Sequence, residues 1–370
     1  MGKRALVIVL DSVGCGGAPD AGEYGDAGAD TLGHLYAGID GFGLPNLESL
    51  GLSSLLQGES AASDGRKAYR LTATSAGKDT TTGHWELMGC PVVHPFPTFK
   101  HFPDGLVAEL EAAGGTVFIG NKVASGTGIL GELGEEHVRT GHPILYTSAD
   151  SVMQIAAHEE VFGLERLQEL CRSAREILDR RGVKIGRVIA RPFLGADSAS
   201  FQRTGNRHDY SLVPAGTTLN RLQGKGVRVI GVGKISDIFA GSGIDESHPT
   251  KGNSEGMEVI DHLWSNPPEI PHFIFANLVD FDSLYGHRRN PEGYAACLRE
   301  FDSWLGGFLG KIGEGDLVVI TADHGNDPYH RGTDHTREQV PCLVVPKSFQ
   351  LESEPQVFGD VGALVEGYFG

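Results

Sequence analysis

The sequence predicts an α/β protein in which a second, smaller domain is inserted into a sheet-containing core. Three observations lead to this prediction. Short apolar runs alternate with helix-like segments, the middle of the 370-residue chain is more basic, and strand-like runs resume after it. A chain of this length exceeds what one ordinary core accommodates, so we expect two domains.

Four apolar runs rich in β-branched residues are predicted to be buried parallel strands. They lack the polar alternation of a strand with one solvent-facing side. The runs are residues 5–10, 227–232, 273–279 and 317–321. Between the last two lies "PEGYAACLREFDSWLGGFLGKI", whose apolar residues have the spacing of an amphipathic helix. Alternating strands and helices predict a core sheet with helices on both faces.

Residues 94–213 differ from the flanking segments, so we predict an inserted α+β domain there, between core segments 1–93 and 214–370. This stretch has loops containing His and Pro and an amphipathic helix, "ERLQELCRSAREILDRRG". Residues 180–210 contain seven Lys and Arg against two Asp, a local balance of +5 in a chain of net charge −17. Such a concentration of positive charge favours the binding of an anion.

Composition excludes several classes of function. The net charge of −17 disfavours nucleic acid, whose phosphates would be repelled. No run approaches the roughly eighteen apolar residues of a membrane span, and the first run ends at Asp11, too early for a signal peptide. Five scattered cysteines indicate reduced thiols. We therefore expect a cytoplasmic protein that binds neither nucleic acid nor membrane.

Acidic residues follow three of the predicted strands where each strand ends, namely Asp11, Asp282 and Asp323. In open α/β sheets, ligands bind beyond the carboxyl ends of the strands, so these carboxylates are expected to converge. Three histidines occur nearby in sequence, namely His287, His324 and His335. A single Asp at a strand end is usually a turn or cap residue, and the prediction depends on the coincidence of three.

Three carboxylates and three imidazoles suit Mn²⁺ or Zn²⁺ better than Mg²⁺. Six ligands are too many for one catalytic ion that keeps an open position, and they are a natural number for two. Two divalent ions bound by three carboxylates retain positive charge, which attracts an anion. Paired ions commonly serve phosphoryl transfer, so the sequence predicts that class of chemistry.

The segment "SAGKDTTTGHWELMG", residues 75–89, offers a nucleophile to such a site. Thr80, Thr81 and Thr82 precede a predicted helix, and a metal ion can activate a threonine hydroxyl. Helix capping is the better interpretation of at least two of them, and composition does not select the exception. A P-loop is excluded, because the glycine it requires five residues before the Gly-Lys pair is Thr72.

Together with "VIVLDSVGCGGAPDA", "YTSADSVMQIAAHEE", "NLVDFDSLYGHRRNPEGY" and "TADHGNDPYHRGTDHTRE", this segment resembles the phosphopentomutase family of the alkaline phosphatase superfamily. The resemblance extends from the first strand almost to the end of the chain. It implies an alkaline-phosphatase-like core with an inserted cap domain, two Mn²⁺ ions, a phosphorylated threonine and a sugar bisphosphate activator such as glucose 1,6-bisphosphate. The implied reaction interconverts ribose 5-phosphate and ribose 1-phosphate, and their 2-deoxy counterparts.

The resemblance also assigns roles to individual residues. The nucleophile matches Thr80. One ion is assigned to Asp282, His287 and His335, and the other to Asp11, Asp323, His324 and the Thr80 oxygen. Substrate recognition is assigned to Ser148, Asp150, Arg187, Arg203, Arg207 and Lys234. The two Asp-His pairs near the end of the chain would then place one histidine on each ion.

Three other functions stay open. A cofactor-independent phosphoglycerate mutase resembles this chain in its metal motifs but usually has a serine nucleophile and a longer insertion. A phosphatase or phosphodiesterase shares the metal pair without the chemistry of the inserted domain. A catalytically silent metal-binding or sugar-phosphate-sensing protein is disfavoured, because a sensor needs no nucleophile.

Overall fold

The structure, a computed structural model, describes residues 2–57, 67–148, 151–346 and 348–370. In chain order, the strands are β1 (Arg4–Leu10), β2 (Ala68–Leu71), β3 (Ile119–Val123), β4 (Ile144–Thr147), β5 (Val152–His158), β6 (Arg187–Leu194), β7 (Gln202–Arg203), β8 (His208–Ser211), β9 (Arg228–Val232), β10 (Glu246–His248), β11 (His272–Leu278), β12 (Leu317–Thr321) and β13 (Val340–Val345).

The α-helices are α1 (Thr31–Gly38), α2 (Pro45–Ser49), α3 (Leu52–Leu56), α4 (Thr80–Leu87), α5 (Asp104–Gly114), α6 (Gly128–Thr140), α7 (Leu164–Arg180), α8 (Thr218–Gly224), α9 (Ile235–Ile238), α10 (Asn253–Ser265), α11 (Pro291–Leu309) and α12 (Gly359–Phe369). A 3₁₀ turn spans Ala21–Tyr24, and π-helical turns span Glu159–Gly163 and Phe281–Gly286. The chain divides into two compact units, one of Met1–His94 with Pro214–Gly370 and one of Pro95–Val213.

The first unit is built on a seven-stranded sheet in the order β10-β9-β11-β1-β12-β13-β2. Its strands from β10 to β12 are parallel, and β13 and β2 run antiparallel to their neighbours. The four strands predicted from apolar runs are confirmed as β1, β9, β11 and β12. Residues 5–9 of β1 have no solvent exposure, which explains why this strand lacks polar alternation.

The second unit contains a mixed sheet in the order β3-β4-β5-β6-β7, with β8 also paired to β6. Alternate residues of β5 belong to different hydrophobic clusters, since Ile155 packs with residues of α5 and α7 and Ala156 with residues of α6. Successive side chains of a strand point to opposite faces, so helices cover both faces of this sheet. The predicted amphipathic helix is confirmed as α7. Its role in a cap domain stays a prediction.

Among the described residues, no helix is both long and apolar enough to span a bilayer. The cytoplasmic location stays a prediction.

Candidate metal centre

The carboxyl ends of three adjacent strands of the first unit carry the predicted acidic residues. β1 pairs in parallel with β11 on one side and β12 on the other, so all three strands end at the same edge of the sheet. Asp11 directly follows β1, Asp323 follows β12, and Asp282 lies in the π-helical turn after β11. All three side chains are buried. The structure therefore brings the three carboxylates together.

Two groups of possible ligand atoms form at this edge, and the atoms of each group lie within 4.8 Å of one another. One group consists of Asp282, His287 and His335, and the other of Asp11, Asp282 and His324. Asp282 therefore belongs to both groups, whereas the family resemblance assigned it to one ion. Asp323 adjoins the second group, with its Oδ2 3.4 Å from His324 Nε2.

The π-helical turn Phe281–Gly286 brings Asp282 and His287 to the same side of the chain. The His287 amide donates to the Asp282 carbonyl five residues earlier at 3.2 Å. Residues five apart are aligned in this geometry, and such turns are frequent at functional sites. His287 Nε2 consequently lies 3.2 Å from Asp282 Oδ2.

The repeated Asp-His pairs are brought together by a closed loop. Gly325 and Thr336 pair as an antiparallel bridge, with N–H···O distances of 3.1 and 2.8 Å. The residue before each bridge partner is a histidine, so the rings of His324 and His335 lie side by side with centroids 4.0 Å apart. The sequence repeats the pair because both ends of one loop supply a histidine to the same cluster.

Backbone carbonyls orient two of the imidazoles. His324 Nδ1 lies 3.0 Å from the Gly325 carbonyl, and His287 Nδ1 lies 2.7 Å from the Thr333 carbonyl. A carbonyl accepts only, so Nδ1 carries the proton and the Nε2 lone pair is left for another partner. In both rings Nε2 faces carboxylate oxygens. This arrangement is typical of histidines that bind a metal ion.

Two buried carboxylate oxygens support the same interpretation. Asp11 Oδ1 and Asp323 Oδ2 accept no hydrogen bond. Burial and the nearby charge of Asp323 raise the pKa of Asp11. The other oxygen of each carboxylate accepts one hydrogen bond, from Asn277 in Asp11 and from Ser12 in Asp323. A buried carboxylate oxygen without a donor is energetically costly, and divalent cations would compensate the charge. The residues present therefore fit a divalent metal centre.

Of Thr80 and Thr82, Thr80 is the one that faces this centre. Its Oγ1 lies 3.2 Å from His324 Nε2. Thr82 is hydrogen-bonded to Asp79, the N-cap of α4. The backbone N and the hydroxyl of Thr82 both donate to the Asp79 carboxylate, at 3.1 Å and 2.5 Å. The geometry thus distinguishes two threonines that composition left equivalent.

Two further residues of α4 fix the helix against the metal centre, and sequence reasoning missed both. His84 Nδ1 donates to the Thr80 carbonyl at 2.9 Å and lies 3.1 Å from Asp323 Oδ2. Gly83 packs directly on Asp323, since an added Cβ would lie 2.1 Å from the Asp323 carbonyl oxygen. Residues 80–85, "TTTGHW", therefore carry both Thr80, the predicted nucleophile, and the two residues that hold it beside the metal centre.

Gly83→Ala is expected to destabilise the protein by about 1–3 kcal/mol, because the new methyl group displaces either α4 or the end of β12. The matched control is Gly307→Ala on α11, where an added Cβ has no heavy atom within 4 Å. That change should be neutral or stabilise by up to about 1 kcal/mol. Urea unfolding in EDTA measures both. Equal unfolding midpoints for the two variants would contradict the close packing.

The residues assigned to substrate recognition belong to both units of the chain. Lys234 is exposed and directly precedes α9 in the first unit. Ser148 is half-buried after β4, and Asp150 lies outside the described residues. Arg187 and Arg207, both exposed, share one carboxylate. Asp209 lies 3.5 Å from Arg187 Nη1 and 2.7 Å from Arg207 Nε.

The net positive charge around residues 180–210 of the second unit is smaller than the sequence suggests. Arg180 and Arg181 bind Glu109, which is distant in sequence. The remaining positive charge includes Arg191, Arg203 and Arg207, which act on Tyr146. Burial raises the pKa of Tyr146, and the three arginines oppose this shift only in part. The Tyr146 hydroxyl is buried without a hydrogen-bond partner. Sequence reasoning did not single out Tyr146 or Arg191.

Residues 3–369 match a family model described as the Metalloenzyme superfamily. The chain therefore belongs to that superfamily, in agreement with the cluster of acidic and histidine side chains at the edge of the sheet. Superfamily membership implies divalent metal ions.

Two relatives show which family of that superfamily the chain belongs to. A phosphopentomutase of Symbiobacterium thermophilum is 54% identical over 92% of this chain and 88% of the relative. A phosphopentomutase of Levilactobacillus brevis is 48% identical over 100% of this chain and 95% of the relative. At this identity and coverage, the chain belongs to the phosphopentomutase family, which is a family of isomerases.

Among solved structures, a phosphoglycerate mutase from Leishmania mexicana is similar in fold, with a TM-score of 0.52 and 11% identity, over 100% of this chain and 96% of that chain. Identity this low supports a shared fold and nothing about substrate. The predicted α/β core is confirmed by the seven-stranded sheet and the helices of the first unit.

Proposed function

We propose that this chain interconverts ribose 5-phosphate and ribose 1-phosphate, and their 2-deoxy counterparts, with Thr80 as a transient carrier of the phosphoryl group. The observation that carries the proposal is the position of the Thr80 hydroxyl, 3.2 Å from His324 Nε2. His324 belongs to a cluster of five potential metal ligands that Asp323 adjoins. The family relationship supports the same reaction, because the relatives named above are phosphopentomutases.

The metal ions would be held by six side chains, namely Asp11, Asp282, Asp323, His287, His324 and His335. We propose Mn²⁺ for both ions, since mixed carboxylate and imidazole ligands suit it. Bound there, divalent ions would supply positive charge that stabilises the transferring phosphoryl group. The proposed division gives Asp282, His287 and His335 to one ion and the other three ligands, with Thr80, to the second.

Thr80 carries the phosphoryl group between two positions of the sugar. In the first step, a free sugar hydroxyl attacks the phosphorus of phospho-Thr80, an O–P bond forms, the Thr80 Oγ–P bond breaks, and the hydroxyl proton is transferred to Thr80 Oγ. In the second step, Thr80 Oγ attacks the other phosphate of the sugar bisphosphate, and the released sugar oxygen receives the proton. The net result is an isomer of the starting sugar phosphate and a regenerated phospho-Thr80.

The α4 segment prepares Thr80 for this role. The bond from His84 to the Thr80 carbonyl and the close packing of Gly83 on Asp323 hold the hydroxyl beside the ligand cluster. Thr80 is also the first residue of α4, where backbone N–H groups without helical partners can bind phosphate oxygens. An unphosphorylated enzyme needs a donor before its first turnover, and we propose a sugar bisphosphate such as glucose 1,6-bisphosphate.

The direct test supplies ribose 5-phosphate, Mn²⁺ and catalytic glucose 1,6-bisphosphate, and measures ribose 1-phosphate and free phosphate separately. Isomerisation in large excess over hydrolysis is expected. Predominant release of phosphate would instead support a metal-dependent phosphatase. Turnover of 3-phosphoglycerate without turnover of pentose phosphate would support a phosphoglycerate mutase, the class of the structural relative from Leishmania mexicana.

We further propose that basic side chains of the second unit bind the phosphate that is not being transferred. Arg203 and Arg207 lie near Arg191 and the unpartnered hydroxyl of Tyr146, and arginine forks suit phosphate oxygens. Ser148, Asp150 and Lys234 are proposed to contact the sugar or its phosphate. These roles distinguish a mutase from a phosphatase, since an oriented acceptor hydroxyl must outcompete water at roughly 55 M.

Arg187→Ala is expected to lower mutase turnover roughly 10-fold or more, because it would remove a charge-assisted hydrogen bond to the phosphate. Metal content should not change, and the ratio of phosphate released to sugar isomerised should rise. Arg180→Ala is the matched control, because Arg180 belongs to the same basic stretch but binds the surface residue Glu109. Equal turnover and equal phosphate release in the two variants would show that Arg187 does not bind the substrate.

A further inference from the structure

Ser12, the residue after Asp11, has a backbone conformation that is unfavourable for its residue type. Its φ is +73°, in the left-handed region that residues other than glycine rarely adopt. The residue is also fully buried. Such conformations persist only where the surrounding contacts hold them, and they concentrate at functional sites.

Hydrogen bonds from the Ser12 backbone connect Asp11 to the other two carboxylates of the metal centre. The Ser12 amide donates to Asp323 Oδ1 at 3.1 Å. The Ser12 carbonyl accepts from the Asn326 amide at 3.1 Å, and Asn326 Nδ2 donates to Asp282 Oδ1 at 2.7 Å. A change in the backbone of Ser12 would therefore displace all three carboxylates relative to one another.

Tyr294, a fully buried residue of α11, holds this conformation in place. Its hydroxyl oxygen lies 2.9 Å from the Ser12 carbonyl oxygen and 2.9 Å from Ser12 Oγ. A phenol has one proton, so it donates to the carbonyl and accepts from the serine hydroxyl. Both hydroxyls are thereby satisfied inside the protein, and removing either one leaves its partner without a hydrogen bond.

We propose that Ser12 and Tyr294 form a positioning pair that holds Asp11, Asp282 and Asp323 in the arrangement that binds divalent ions. Neither side chain is a proposed ligand, and the pair acts through the backbone of Ser12. The inference rests on the metal-binding role proposed for the three carboxylates. It does not depend on the phosphopentomutase reaction.

The test is a Mn²⁺ titration of metal-stripped protein by isothermal calorimetry, with folding checked by circular dichroism. Tyr294→Phe is expected to weaken Mn²⁺ binding about 10-fold or more, as loss of outer-sphere support typically does. Tyr36→Phe is the matched control, because it removes a phenol that donates to Glu48 at 2.7 Å and touches none of the carboxylates concerned. Its Mn²⁺ affinity should equal that of the wild type.

A second pair of variants separates the backbone conformation from the serine hydroxyl. Ser12→Ala and Ser12→Gly both lack Oγ, but only glycine adopts the left-handed conformation without penalty. Ser12→Ala is expected to bind Mn²⁺ several-fold more weakly than Ser12→Gly. This comparison remains decisive if Tyr294→Phe does not fold.

Equal Mn²⁺ affinity for Ser12→Ala and Ser12→Gly, or wild-type affinity in folded Tyr294→Phe, would overturn the positioning role. If Tyr294→Phe lowers thermal stability alone, the pair serves the fold and not the metal centre. A wild-type protein that fails to bind Mn²⁺ contradicts the proposed metal centre itself, which is a distinguishable result.

Discussion

Thr80→Ala is expected to lower mutase turnover roughly 10⁴-fold or more, the scale of loss seen when an enzyme nucleophile is removed. Thr82 is not placed to replace it, since the Thr82 hydroxyl donates to Asp79 while the Thr80 hydroxyl faces His324. Intact mass spectrometry after incubation with glucose 1,6-bisphosphate gives the second measurement. The wild type should gain one phosphate, and the variant none.

Thr80→Ser is the matched control, because it keeps a hydroxyl at the same position and should retain both phosphorylation and partial activity. Metal content of Thr80→Ala should remain near that of the wild type, since the carboxylates and imidazoles are intact. If Thr80→Ala still acquires the phosphate, the carrier is another residue. Mapping the label to Thr81, Thr82 or Ser12 would identify it.

Asp323→Ala is expected to weaken binding of one metal ion by more than the roughly 100-fold that outer-sphere changes reach, and to remove mutase activity. The Asp323 carboxylate is buried, and its Oδ2 accepts no hydrogen bond, so a cation is its proposed partner. Elemental analysis after desalting measures the loss. The increase in melting temperature on adding Mn²⁺ should also shrink, because metal binding stabilises only the folded state.

Stability in EDTA separates metal loss from misfolding in this variant. Asp323→Ala removes one of three neighbouring buried carboxylates, so metal-free protein should remain folded. Asp327→Ala provides a comparison with another buried carboxylate of the same motif, which binds His34 at 2.6 Å and is not one of the six proposed ligands. Two tightly bound ions and normal turnover in Asp323→Ala would refute the assignment.

Much of the sheet and the outline of the metal centre could be predicted from local sequence. A strand that is buried on both faces appears in the sequence as a continuous apolar run. This pattern made β1, β9, β11 and β12 recognisable. Parallel strands share one carboxyl edge, which predicted that residues at their ends would converge. Residue spacing also carried information, because the five-residue interval from Asp282 to His287 corresponds to one π-helical turn.

The supporting contacts could not be predicted, because they join residues far apart in the chain. The hydrogen bonds between Ser12 and Tyr294 cross 282 positions, and the bond from Asn326 to Asp282 crosses 44. Neither residue type nor spacing signals such pairs. The same reason explains the overestimated charge of the basic stretch, since Glu109, which neutralises part of it, lies about 70 residues before Arg180 in the chain.

The most direct test of the proposed reaction follows one phosphoryl group through a single turnover. Protein labelled with radioactive phosphate from a sugar bisphosphate is isolated, digested and mapped, and a second portion is mixed with unlabelled ribose 5-phosphate and Mn²⁺. The label should map to the peptide containing Thr80, and in the mixture it should pass to pentose phosphates with little free phosphate. Label on a different residue, or its release mainly as inorganic phosphate, would contradict a phosphothreonine mutase.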